Sequence, residues 1–176
     1  MKSIFNKSNF SGCLSTIIDD VFYICDDGGV GIPCRISDFS NYDFKVNNPT
    51  KKKIDFIQID GCVYNSSDGR KCDFMLSDNR IACFIEIKSL TDFSSAWKSD
   101  SKKDDALEQI ISTIQKIKLR FPSLDILNVF GIICLKPNVP IFTQSIQVAE
   151  QVRISRLLTE TGCPNLYIGN EMTFSN

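Results

Sequence analysis

The chain has 176 residues, 43% of them hydrophobic and 23% charged, with a formal net charge of −1. That length and balance suit a single globular domain with a substantial core. They exclude a membrane-spanning helix, since no apolar run approaches the ~20 residues needed to cross a bilayer, and the overall basic signature of a strong nucleic-acid binder is absent. Residues 1–12 carry no apolar leader segment, so the expected compartment is the cytoplasm.

In chain order, Leu14, Ile17, Ile18, Val21 and Cys25 recur at helical spacing and predict a first helix over 11–25, stopped by Gly28 and Gly29. Residues 30–50, punctuated by Pro33 and Pro49, carry no clear period. A β-rich block follows. Residues 54–64 alternate and are rich in β-branched and aromatic side chains, 71–76 form a second run, and 81–88 are apolar at almost every position. The turn clusters 65–69 and 77–80 make these three strands an antiparallel meander.

Residues 89–104 are polar and read as a loop. Leu107, Ile110, Ile111, Ile114 and Ile117 then place a buried stripe on a helix over 106–121, with Asp105 and Glu108 as its capping pair and Pro122 as its stop. Residues 128–135 are a buried strand, 145–159 a last helix and 166–168 a short final strand. The expected order is α-βββ-α-β-α-β, an α/β fold with a mixed central sheet flanked by helices.

The eight cysteines include no two separated by only two to four residues, and the chain has no histidine. Zinc-ligand spacing is therefore missing, and the cysteines read as buried reduced thiols. Without histidine, Ser-His-Asp and Cys-His mechanisms are also excluded. Hydrolytic chemistry would have to run on carboxylates, lysine, a metal ion, or serine or cysteine without a histidine partner.

The informative stretch lies on the second and third predicted strands. Side chains alternate along a strand, so Glu86 and Lys88 share one face about 7 Å apart. Asp73 sits on the neighbouring strand, where its carboxylate can converge with Glu86 on a hard cation such as Mg²⁺. Such an ion polarises a phosphoryl oxygen and acidifies a bound water, and an adjacent lysine orients that water or stabilises developing charge. Asp60 competes with Asp73 for the metal role.

Asp73 followed by Glu86-Ile87-Lys88 resembles the signature of the PD-(D/E)xK, or restriction-endonuclease-like, nucleases. The resemblance spans roughly residues 10–135. It implies an αβββαβ core, Mg²⁺ or Mn²⁺ held by Asp73 and Glu86, a water-assisting role for Lys88, and a polar site residue on the following helix, which Gln109 would supply, with Thr113 one turn on. Cys72 stands where the motif's proline would be. The first helix offers no glutamate, only Asp19 or Asp20. The activity implied is cleavage of nucleic acid, DNA ahead of RNA, with phage defence as the biological setting by family analogy. Lys98, Lys102, Lys103, Lys116 and Arg120 are the expected nucleic-acid contacts, Trp97 a candidate base-stacking residue, and Arg153 and Arg156 candidate phosphate contacts. The low overall basicity suggests a homodimer or a protein partner. The alternative is a catalytically inactive relative of the same fold acting as a binding, immunity or assembly module.

Overall fold

β-Branched and aromatic residues dominate the first third of the chain, and they set its structure. The computed structural model describes residues 4–29, 31–90, 96–136 and 144–175, the side chains of 96–98 and 144–147 excepted. The expected helix over 11–25 is absent. Its place is taken by strands β1 (Leu14–Ile17) and β2 (Val21–Cys25). Apolar spacing alone did not separate the two periods here. The β-propensity of Thr16, Ile17, Val21, Tyr23 and Ile24 decided in favour of strands. Buried Asn48 fixes the turn between them. Its side-chain amide donates to the Asp19 and Lys52 carbonyls, and its backbone N–H donates to the Asp20 carbonyl.

The unpatterned stretch 30–50 holds two more strands, β3 (Arg35–Ser37) and β4 (Phe44–Asn47). The expected antiparallel meander is present, with its first strand ending at Gln58 and not 64 and its second beginning at Phe74 and not 71: β5 (Ile54–Gln58), β6 (Phe74–Ser77) and β7 (Ala82–Ser89) pair in sequence. Helix α1 runs over Ala96–Arg120 and so consumes most of the segment expected as a loop. Asp105 and Glu108 consequently lie inside the helix and do not cap it. Strand β8 (Val129–Lys136), helix α2 (Gln144–Thr161), strand β9 (Asn165–Ile168) and strand β10 (Glu171–Thr173) complete the chain.

The result is a mixed α/β architecture in three layers. The larger sheet has the order β1-β5-β6-β7-β8-β9, and the smaller has the order β10-β4-β2-β3. After the meander, α1 carries the chain over so that β8 lies parallel to β7, and β9 adds parallel to β8. Residues Ile57, Met75, Phe84 and Ile133 of the large sheet meet Leu107, Ile110, Ile114 and Ile117 of α1 in one core. The other face, with Phe56, Phe74, Leu76, Ile85 and Ile132, meets Phe22, Ile24, Phe44 and Val46 of the small sheet in a second core. Burial of both faces explains the near-continuous apolar run of β7. No helix among the described residues is long and apolar enough to cross a membrane.

Six of the cysteines are buried free thiols, as expected. Burial pushes the Cys25 thiol up to about 11 and Cys134 up to about 12, which keeps them neutral and inert. The other two depart from the expectation of reduced thiols throughout. Cys13 and Cys62 form a disulfide with their Cα atoms 5.7 Å apart, joining the segment before β1 to the loop after β5.

Candidate active site

The antiparallel register sets Phe74 opposite Ile85, which brings Asp73, one residue earlier, opposite Glu86. β6 begins only at Phe74, because Asp73 turns its carbonyl to the neighbouring loop and accepts there from the backbone N–H groups of Ile59 and Asp60. The Asp73 carboxylate fills the gap this leaves beside β7. Its Oδ2 accepts from the Ile87 N–H at 2.6 Å. Thr113 on α1 holds the residue before it, accepting from the Cys72 N–H at 2.7 Å while donating to the Gln109 carbonyl.

Glu86 is only 2% exposed. Its Oε1 lies 2.8 Å from Lys88 Nζ, whereas its Oε2 is buried with no hydrogen-bond partner among the described residues. Lys88 Nζ also lies 2.9 Å from Asp105 Oδ2 and donates to Gln109 Oε1 at 2.7 Å. The three hydrogens of the ammonium thus meet three acceptors, two of them from α1. Asp105 in turn pairs with Arg70, Nη1 to Oδ1 at 2.9 Å.

The electrostatics follow from this crowding. Burial pushes the Asp73 carboxyl up to about 7, opposed by the Ile87 N–H, while the Asp26 charge adds to the rise. Burial also raises Glu86 well above the ordinary carboxylate range, the Asp73 charge adds to it, and Lys88 opposes it. Burial works to lower the Lys88 amine, but the Glu86 and Asp105 carboxylates outweigh it and hold it above its usual value. Two desolvated carboxyl groups that disfavour each other's charge, with only one lysine bonded to one of them, leave a deficit of positive charge. A buried carboxylate oxygen without a donor is costly unless a cation or proton occupies it. That orphaned Oε2, beside a second acid, leaves a position for a proton or a cation. Among the described residues no three Cys, Asp or Glu side chains converge as metal ligands. An ion here would therefore take its remaining ligands from water or substrate oxygens, as Mg²⁺ commonly does.

The remaining expected site residues are distributed differently. The Asp60 carboxylate lies 3.3 Å from Lys71 Nζ, and Asp19 and Asp20 sit in the β1–β2 turn. Lys103 was expected to touch nucleic acid, but it is buried and lies within 4 Å of Asp100 and Glu150. Lys116 donates to the Asp68 and Arg70 carbonyls, and Arg120 lies over the Phe10 and Phe121 rings. Arg153 is buried against Asp104 and Asp100, and Arg156 pairs with Glu160. Lys102 is exposed. The side chains of Trp97 and Lys98 lie outside the described residues.

Asp105 and Arg70 are the site neighbours that sequence reasoning missed. The signal for Asp105 was its spacing of four from Gln109, which in turn stands four from Thr113, a single helical stripe. Treating 105 as a helix start concealed it. No family model matches the chain, and neither curated proteins nor solved structures provide a match.

Proposed function

We propose that the chain is a divalent-metal-dependent nuclease of the PD-(D/E)xK type, hydrolysing phosphodiester bonds in nucleic acid, DNA ahead of RNA. The observation that carries this reading is the buried, unpartnered Oε2 of Glu86 opposite Asp73, with Lys88 bonded to the same carboxylate. The order of meander, crossover helix and parallel strand supports this reading, while the helix expected ahead of them is replaced by strands.

In this reading Asp73 and Glu86 hold Mg²⁺ or Mn²⁺. The ion supplies Lewis acidity toward a phosphoryl oxygen and toward a bound water. Lys88, kept cationic by Glu86 and Asp105, would release one of its three present acceptors to donate to the phosphate or to the attacking water; it is unsuited to accept a proton. Gln109 fixes the direction of that amine. Because Asp73 and Glu86 hold protons more tightly than usual, their carboxylates would be freer to hold a cation as pH rises. Among the described candidates for phosphate contact, Lys102 and Arg120 are exposed.

One observation favours the alternative of an inactive binding or assembly module. Lys88 already has three acceptors, which would let the network serve as a self-contained strut. The deciding experiment incubates the protein with plasmid, linear duplex, single-stranded DNA and RNA, with Mg²⁺, Mn²⁺ or EDTA. The expected result is cation-dependent cleavage of at least one substrate, reduced about 100-fold or more in Glu86→Gln and in Lys88→Met. Equal activity in all three proteins, or none on any substrate, defeats the nuclease reading.

A further inference from the structure

The Cys13–Cys62 disulfide sits against the loop that seats Asp73. Cys62 ends a short segment that is tied to Cys13 twice. The Gln58 N–H donates to the Cys13 carbonyl at 3.0 Å, and the disulfide closes the segment back on the same residue. Between these two ties lie Ile59 and Asp60, whose N–H groups donate to the Asp73 carbonyl at 3.0 and 3.1 Å. Those two bonds turn Asp73 out of β6, which leaves its carboxylate placed to accept from the Ile87 N–H beside Glu86. A covalent cross-link thus borders directly on the backbone that positions one acid of the candidate site.

The bond is accessible in a way that the free thiols are not. Cys13 and Cys62 are both partly exposed, whereas the six free cysteines are buried. Thiol–disulfide exchange needs a thiolate to reach a sulfur, so exposure decides which cysteines can react. The chain is also held on both sides of Cys13 without the bond. Phe5 and Phe10 lie in the core ahead of it, and β1 pairs with β5 after it. β1 is an edge strand of the large sheet, away from the β7–β8 pairing on which α1 packs. Opening the bond therefore loosens an edge of the molecule, while the core under α1 keeps its contacts.

We propose that the Cys13–Cys62 bond is a redox control on the candidate site. Oxidised, it holds the segment 58–62 against Asp73; reduced by a dithiol, it lets that segment withdraw and unseats the acid. A thiolate of the dithiol attacks one sulfur, forms a mixed disulfide and displaces the other cysteine. The second thiol of the reductant then closes the reductant's own disulfide and releases the first cysteine. Two electrons pass from the reductant to the protein sulfurs, and its two protons end on Cys13 and Cys62. The consequence for metal binding and cleavage rests on the nuclease reading; the coupling of the bond to Asp73 does not.

The test uses the full chain in three forms: oxidised, reduced with dithiothreitol and then freed of it under argon, and the double variant Cys13→Ser/Cys62→Ser. Amide hydrogen exchange reads the Ile59 and Asp60 N–H groups, with Ile110 and Ile114 of α1 as the reference for the whole fold. Titration with Mn²⁺ reads the site. The expected exchange at 59 and 60 is about tenfold or more faster in the reduced and variant proteins, with α1 still protected. The expected Mn²⁺ affinity is about tenfold or more weaker in the same two forms. Reoxidation restores the wild type and leaves the variant unchanged. Unaltered exchange at 59 and 60 in the reduced protein overturns the proposal, and so does a measurable Mn²⁺ affinity that is equal in all three forms. Loss of protection throughout α1 overturns it as well, since the bond is then a staple for the whole fold. Mn²⁺ binding in none of the forms defeats the nuclease reading, and the exchange result then decides the coupling alone.

Discussion

Asp73 ties stability to pH in an unusual direction. Its carboxyl has an ordinary value of 3.8 in the unfolded chain and about 7 in the fold. Between those values the native state keeps a proton that the unfolded state has lost, so stability falls as pH rises through that window. The penalty is absent below the unfolded value and complete above about 7. In EDTA, wild type should therefore lose stability relative to Asp73→Asn between about pH 4.5 and 7.5, by an amount on the order of 1 kcal/mol or more. Urea unfolding at both pH values measures this, and parallel losses in the two proteins would count against the buried, protonated Asp73. Alternation along the strand put Glu86 and Lys88 on one face, while Asp73 and Gln109 were singled out by the family resemblance; the fold brings Lys88 onto both Glu86 and Gln109. What could not be read was the orphaned Glu86 Oε2, or the capture of Lys88 by Asp105, because both depend on how deeply α1 settles onto β7.

At the scale of elements, the contact between β8 and the helices leaves no spare room. A Cβ added at Gly131 would meet Ile110 Cγ2 at 3.1 Å, Leu166 Cδ1 at 3.3 Å and Leu157 Cδ2 at 3.4 Å. Those three atoms belong to α1, β9 and α2, so relief for one presses on another. Gly131→Ala should destabilise the protein by about 1–3 kcal/mol through overpacking, lowering the urea midpoint with little change in slope. A neutral or stabilising effect would mean that the helices sit less tightly on β8. The elements themselves were legible in proportion to their length and period. The meander, α1's apolar stripe, β8 and α2 were each visible. β1 and β2 were mistaken for one helix because five apolar residues spaced at three, four and one fit a helix as well as two strands, and β3 and β4 were too short to show a period.

For the whole molecule, the Cys13–Cys62 bond closes a stretch of 49 residues between the segment before β1 and the loop that meets the Asp73 carbonyl. Closing a loop of that size restricts the unfolded chain and stabilises the fold by up to about 4 kcal/mol in the chain-entropy account. A reductant, or Cys13→Ser, should lower the melting temperature clearly, and denatured protein kept from reductant should titrate six thiols. Eight reactive thiols with an unchanged melting temperature would remove the cross-link from the native protein. The sequence by itself determined the mixed α/β class, the absence of histidine chemistry, the strand that bears Glu86 and Lys88 and the strand that Asp73 adjoins, since these follow from composition and from local period. Only the tertiary structure decided which two of eight cysteines meet, which lysines are buried, and which acids surround Lys88. Those outcomes depend on strands and helices far apart in the chain coming together, and local spacing along the chain does not encode that proximity.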